Sequence, residues 1–136
     1  VGILYLTQTT SSDLRVLICE DEFLLAMDMA EQFEALQAEV VSVVGRLSEL
    51  EQLTSNADFP ANAVVLDWQF MDGKADKIIP LLEQRGAAIV VCSGYAREER
   101  PPELSHIPWL TKPANADEIA QALLVELDGR GLRQSD

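Results

Sequence analysis

Ala63-Val64-Val65-Leu66-Asp67 is the stretch that decides the fold: a short apolar run, rich in β-branched residues, that closes on a carboxylate. Such a run reads as a strand buried on both faces, the kind found in parallel sheets. Others surround it. Val16-Leu17-Ile18-Cys19 closes on Glu20 and Asp21, Ala88–Cys92 on Ser93, and Trp109–Thr111 on Lys112. A further strand, about Val40–Val44, stops at Gly45.

Helical patterns fill the intervals. Leu25, Met29, Phe33 and Leu36 recur at three- and four-residue spacing within about Glu22–Ala38. Ser48 with Glu51 forms a capping box for a helix to about Ser55. A third helix is predicted over about Ala75–Arg85, stopped by Gly86. Between Ala96 and His106 the chain is polar and contains Pro101-Pro102, so a helix there is shortened. Asn115 with Glu118 caps the last helix, in which Ile119, Leu123 and Leu127 share a face as far as Gly129. Strand-then-helix alternation predicts an α/β, doubly wound, five-stranded parallel sheet. Residues 1–14 read as an N-terminal leader, 15–128 as one domain and 129–136 as a C-terminal tail.

Composition narrows the function. The 136 residues, 48% hydrophobic, suffice for a buried core. A formal net charge of -13 argues against nucleic-acid binding, which needs a basic face. No apolar stretch approaches the roughly 20 residues of a membrane helix, and the opening Val1–Leu6 lacks the basic start of a signal peptide. The expected setting is cytoplasmic, with Cys19 and Cys92 as reduced core residues.

Ligands on parallel sheets bind at the carboxyl ends of the strands. Three acids (Glu20, Asp21, Asp67), the Ser93 hydroxyl and Lys112 therefore converge on one edge. Mg²⁺ takes oxygen ligands and keeps several waters, so these carboxylates suffice for it. An acyl phosphate on Asp67 needs its oxygens neutralised, and Lys112 and Ser93 carry the groups for that. Taken singly, each residue has a plainer role: Asp21 or Asp67 as a cap, Ser93-Gly94 as a turn, Lys112-Pro113 as a strand end. Five in order on successive strand ends make a site.

In Val16–Glu22, Val64–Asp67 with Met71-Asp72-Gly73, Val91–Tyr95 and Trp109–Pro113, the chain resembles the receiver domain of bacterial response regulators over about Arg15–Leu127. The resemblance implies a flavodoxin-like fold with sheet order 2-1-3-4-5. It implies Asp67 as phosphoacceptor and Glu20, Asp21, Asp67 and the backbone carbonyl of Gln69 as Mg²⁺ ligands. Ser93 and Lys112 then bind the phosphoryl group, Trp109 takes the place of the switch aromatic, and Lys112-Pro113 is cis. On phosphorylation Trp109 is expected to pass from exposed to buried. Gln69 and Tyr95 are expected to flank the path of the water that hydrolyses the phosphoryl group. With that strand order another strand separates Cys19 from Cys92, roughly 9–10 Å, too far for a disulfide.

The expected function is a phosphoacceptor switch rather than an enzyme. A histidine kinase or histidine phosphotransfer protein donates the phosphoryl group, and a downstream protein reads the result. The alternative is a receiver cut from a hybrid kinase or larger regulator. Departures from the family pattern are Glu20 for the commoner Asp, a short loop after Asp67, Trp at position 109 and the shortened fourth helix. A flavin protein of this topology would need a phosphate loop where Glu20-Asp21-Glu22 stand. A phosphatase with a nucleophilic Asp would need an acid at Gln69.

Overall fold

The computed structural model describes residues 9–94 and 100–135, with side chains as far as Gly129. Five strands form one parallel sheet: β1 (Arg15–Cys19), β2 (Glu39–Val44), β3 (Ala63–Asp67), β4 (Ala88–Ser93) and β5 (Trp109–Thr111), in the order β2-β1-β3-β4-β5. Among the described residues four α-helices cover it: α1 (Phe23–Ala35), α2 (Leu47–Ser55), α3 (Ile78–Gln84) and α4 (Ala116–Ser135). The predicted sheet and strand order are those observed. Successive side chains along a strand face opposite ways, and two cores result. Leu17, Cys19, Val64, Leu66, Ile89 and Val91 pack on the α2–α3 side. Val16, Ile18, Val65, Val90 and Cys92 pack on the α1–α4 side. Cys19 and Cys92 thus lie on opposite faces of the sheet, and neither forms a disulfide.

The helices depart from the sequence reading in instructive places. On α1 the residues fully turned to the sheet are Ala26, Ala30 and Phe33, whereas Leu25 is half-exposed. Small residues let this helix lie close over β1 and turn the larger apolar ones aside. α1 ends at Ala35, where Gln37 takes a left-handed φ of 68° and Ala38 N–H donates to the Phe33 carbonyl. The third helix is broken in two: a 3₁₀ turn over Ala75–Lys77 precedes α3. Pro80, which has no N–H, falls in the first turn of α3, where an N–H has no partner in the helix. Gly86 ends that helix at φ 77°.

Ser48 does not start α2. The helix begins one residue earlier, with Arg46 at its N-cap and no cap from its own side chains. Between β4 and β5 the described residues contain only a 3₁₀ turn, Pro102–Leu104. α4 continues past Gly129 to Ser135. Asn115 caps it through the Glu118 N–H at 2.9 Å, and Gln32 of α1 accepts from the Ala116 N–H at 2.9 Å. After β3, two two-residue strands, Gln69–Phe70 and Gly73–Lys74, make an antiparallel hairpin.

Candidate functional site

The carboxyl ends of β1, β3, β4 and β5 lie side by side, and each delivers one part of the site. Glu20 follows β1 and extends its pairing, its N–H donating to the Val44 carbonyl at 3.0 Å. Asp67 is the last residue of β3 and Ser93 the last of β4; both are buried. Lys112 follows β5, its N–H donating to the Ser93 carbonyl at 2.8 Å. The Lys112–Pro113 bond is cis.

Glu20, Asp21 and Asp67 each offer a carboxylate oxygen, and these oxygens lie within 4.8 Å of one another. Lys112 Nζ reaches both inner acids, 2.8 Å from Glu20 Oε1 and 3.2 Å from Asp67 Oδ2. Burial, then the neighbouring Glu20, push the Asp67 carboxyl up to about 7, against the pull of Lys112. Burial would also raise Glu20, but hydrogen bonds from Lys112 and from the Asp67 carboxyl outweigh it and hold Glu20 below the usual range. Asp21 is raised, by burial and then by Glu20. For Lys112 burial favours the neutral amine, yet its hydrogen bond to Glu20 and the charge of Asp67 outweigh that and raise it.

Three carboxylates facing one ammonium leave excess negative charge and unused oxygen donors. Oxygen-only donors, close-set and with one acid pushed toward its neutral form by burial and by its neighbour, fit a hard divalent cation.

The other predicted residues fall as follows. Gln69 opens the hairpin two residues beyond Asp67, paired in register with Lys74. Tyr95 lies outside the described residues. Trp109 is 2% exposed, so the exposed starting position expected for it is not the one observed. Its ring packs on Trp68 at a centroid distance of 4.9 Å and an interplanar angle of 56°. Its indole N–H has no hydrogen-bond partner among the described residues. At the first position of β5 it faces the α2–α3 core, which draws a large apolar ring inward.

Two features escaped the sequence reading. A cleft of about 560 Å³ runs from Asp67 and Lys112 between α1 and the start of α4, lined among others by Leu25, Asp28, Met29 and Glu118. The second is Asp72, whose carboxylate leaves its own loop to bind α2. The sequence reading used Met71-Asp72-Gly73 for the resemblance and gave Asp72 no contact of its own.

No protein-family profile matches the chain, and no curated protein matches it. Solved structures do. The response regulator PhyR from Brucella abortus is 27% identical with a TM-score of 0.67, over 90% of this chain and 51% of that one. SdrG from Sphingomonas melonis Fr1 is 25% identical with a TM-score of 0.66, over 84% of this chain and 98% of that one. A response regulator from Burkholderia pseudomallei, solved with a phosphorylated aspartic acid, a calcium ion and citrate, shares the fold at 21% identity and a TM-score of 0.63, over 91% of this chain and 76% of that one. The chain spans about half the length of the PhyR protein. Its fold is that of a response-regulator receiver domain.

Proposed function

We propose that this receiver domain is a phosphoacceptor switch in which Asp67 takes a phosphoryl group from a phosphohistidine of a histidine kinase or histidine phosphotransfer protein. The observation that carries the reading is the meeting of Asp67 with Glu20, Asp21 and Lys112 at one sheet edge. An ionised Asp67 oxygen attacks phosphorus, the P–N bond to the donor imidazole breaks, and the imidazole takes up a proton. Lys112 then leaves its ion pair with Asp67 to face the phosphoryl oxygens, with the Ser93 hydroxyl as a further donor. Glu20, Asp21, Asp67 and the Gln69 carbonyl would hold Mg²⁺, which supplies neutralising charge for the transferring group.

The surface around the site supports a protein partner. Phe23, Leu24 and Met27 are exposed on α1 directly after the acidic pair, Leu24 at 81%, and Met71 is exposed beyond Asp67. Exposed apolar residues beside a charged site suit docking of another protein. The output is read as a change in protein–protein contact, and the setting is cytoplasmic. Among the described residues no helix is long and apolar enough to cross a membrane. The chain covers 98% of SdrG and 51% of PhyR, and the reading extends to the receiver domain alone.

The test is intact-mass analysis after incubation with acetyl phosphate and Mg²⁺. One added phosphoryl group is expected, removed by hydroxylamine, dependent on Mg²⁺ and lost in Asp67→Asn. Full labelling of that variant would put the phosphoacceptor elsewhere.

A further inference from the structure

The loop after the phosphoacceptor is fastened to a helix that contributes nothing else to the site. Asp72, at the turn of the hairpin, accepts from the Leu47 N–H at 3.0 Å through Oδ1 and from the Ser48 N–H at 3.1 Å through Oδ2. These are first-turn donors of α2, which its own N-cap residue leaves unserved. The two bonds hold the Asp72 carboxyl below its usual range. Gly73 shows that the contact is built for closeness. It adopts φ +142°, and a Cβ there would lie 3.3 Å from Leu47 Cδ1.

On its other side α2 is tied to the acidic pair. The Glu20 N–H binds the Val44 carbonyl, and the next residue, Gly45, lies beside the pair: a Cβ there would be in ordinary contact, 3.6 Å from the Glu20 carbonyl oxygen and 3.8 Å from Asp21 Cα. Two residues later α2 begins. The hairpin is closed at its base by the Ala75 N–H donating to the Trp68 carbonyl at 2.9 Å. A continuous path of contacts therefore runs from Glu20-Asp21 through Gly45 and the start of α2 to Asp72, the hairpin and Asp67. Without Asp72, β1 and β3 still pair, but the hairpin bearing Gln69 loses these two bonds to the corner beside Asp21.

We infer that Asp72 is a positioning residue for the cation site: it clamps the hairpin so that the Gln69 carbonyl and the three carboxylates keep the spacing one divalent cation needs. The inference rests on the proposed reading of that site. Residues that orient metal ligands from behind typically cost about tenfold or more in affinity when removed.

The experiment is a calorimetric Mg²⁺ titration of the full chain with its variants, alongside backbone amide exchange measured without Mg²⁺. Asp72→Ala is expected to weaken Mg²⁺ binding about tenfold and to speed exchange at Leu47, Ser48 and the hairpin. Asp72→Asn, which keeps one good acceptor, should fall between it and the parent. Asn62→Ala is the control for lost stability alone. Asn62 ties the opposite end of the sheet, accepting from the Arg15 N–H at 2.8 Å and donating to the Asp13 carbonyl at 2.9 Å. It should lower the melting temperature and leave Mg²⁺ affinity as it was. Parent-like Mg²⁺ affinity in Asp72→Ala, with faster exchange at Leu47 and Ser48, overturns the positioning role. Equal weakening by Asn62→Ala does so too. A parent chain that binds no Mg²⁺ at all overturns the cation reading itself, and that result is seen before any variant is made.

Discussion

A carboxyl pushed up to about 7 and buried between a like charge and an ammonium gives Asp67 a direct influence on stability. Its unfolded value is about 3.9, so between about pH 4 and 7 the folded chain binds the extra proton. Asp67 therefore stabilises the metal-free fold at the acid end of that window, and the contribution is lost as pH rises through it. Asp21, also raised, acts in the same direction. Glu20 is lowered, so its contribution is present above its unfolded value and is lost only at more acid pH. Thermal melts in chelator from pH 5 to 8 should show falling stability, with a clearly shallower slope in Asp67→Asn. An identical slope would mean that Asp67 does not carry the strain. Mg²⁺ should reverse the loss near pH 7.5, by about 2.7 kcal/mol at a hundredfold excess over its Kd. Asp21→Asn should abolish that gain, and an undiminished gain would remove Asp21 from the site. Lys112→Ala should slow acetyl-phosphate labelling about a hundredfold, since one donor to a developing oxyanion is worth about that much. Residues of this kind were legible together, because five polar groups in order on successive strand ends need a reason that a single strand-end charge does not. The place of Trp109 was not, because a β5 aromatic suits either side of the sheet equally well until its neighbours are known.

The five strands of the parallel sheet read correctly, down to the three-residue β5, and the hairpin after β3 did not. β1, β3 and β4 are apolar runs four to six residues long in the sequence, and their pairing in parallel register follows from burial on both faces. The hairpin consists of two-residue strands, too short for any alternation to show. The capping box assigned to Ser48 and Glu51 has the right spacing, but a donor pair can be served from outside the helix. Asp72 serves it here, a contact across 24 and 25 residues that no local pattern encodes. Ser48→Ala is therefore expected to change unfolding free energy by less than about 0.5 kcal/mol, as an exposed side chain that caps nothing does. A loss near 1 kcal/mol in denaturant melts, the usual worth of an N-cap, would restore Ser48 to that role.

Taken whole, the molecule is two apolar layers separated by a sheet, and that layering bears on its cysteines. Cys19 belongs to the α2–α3 layer and Cys92 to the α1–α4 layer, and both are nearly inaccessible. Burial pushes both thiols up, Cys92 to about 12, so neither offers thiolate to a reagent at neutral pH. One sulfur therefore reports on each half of the fold. If the two layers come apart only together, an alkylating reagent should convert unlabelled chains directly to doubly labelled ones, at a rate set by opening of the whole domain. Mass spectra would show the two end species and little between. A singly labelled intermediate would instead reveal one layer opening ahead of the other, and peptide mapping would say which. Two residues without a part in the proposed chemistry thus form a pair of clocks, one on each side of the sheet, for timing how this domain comes apart.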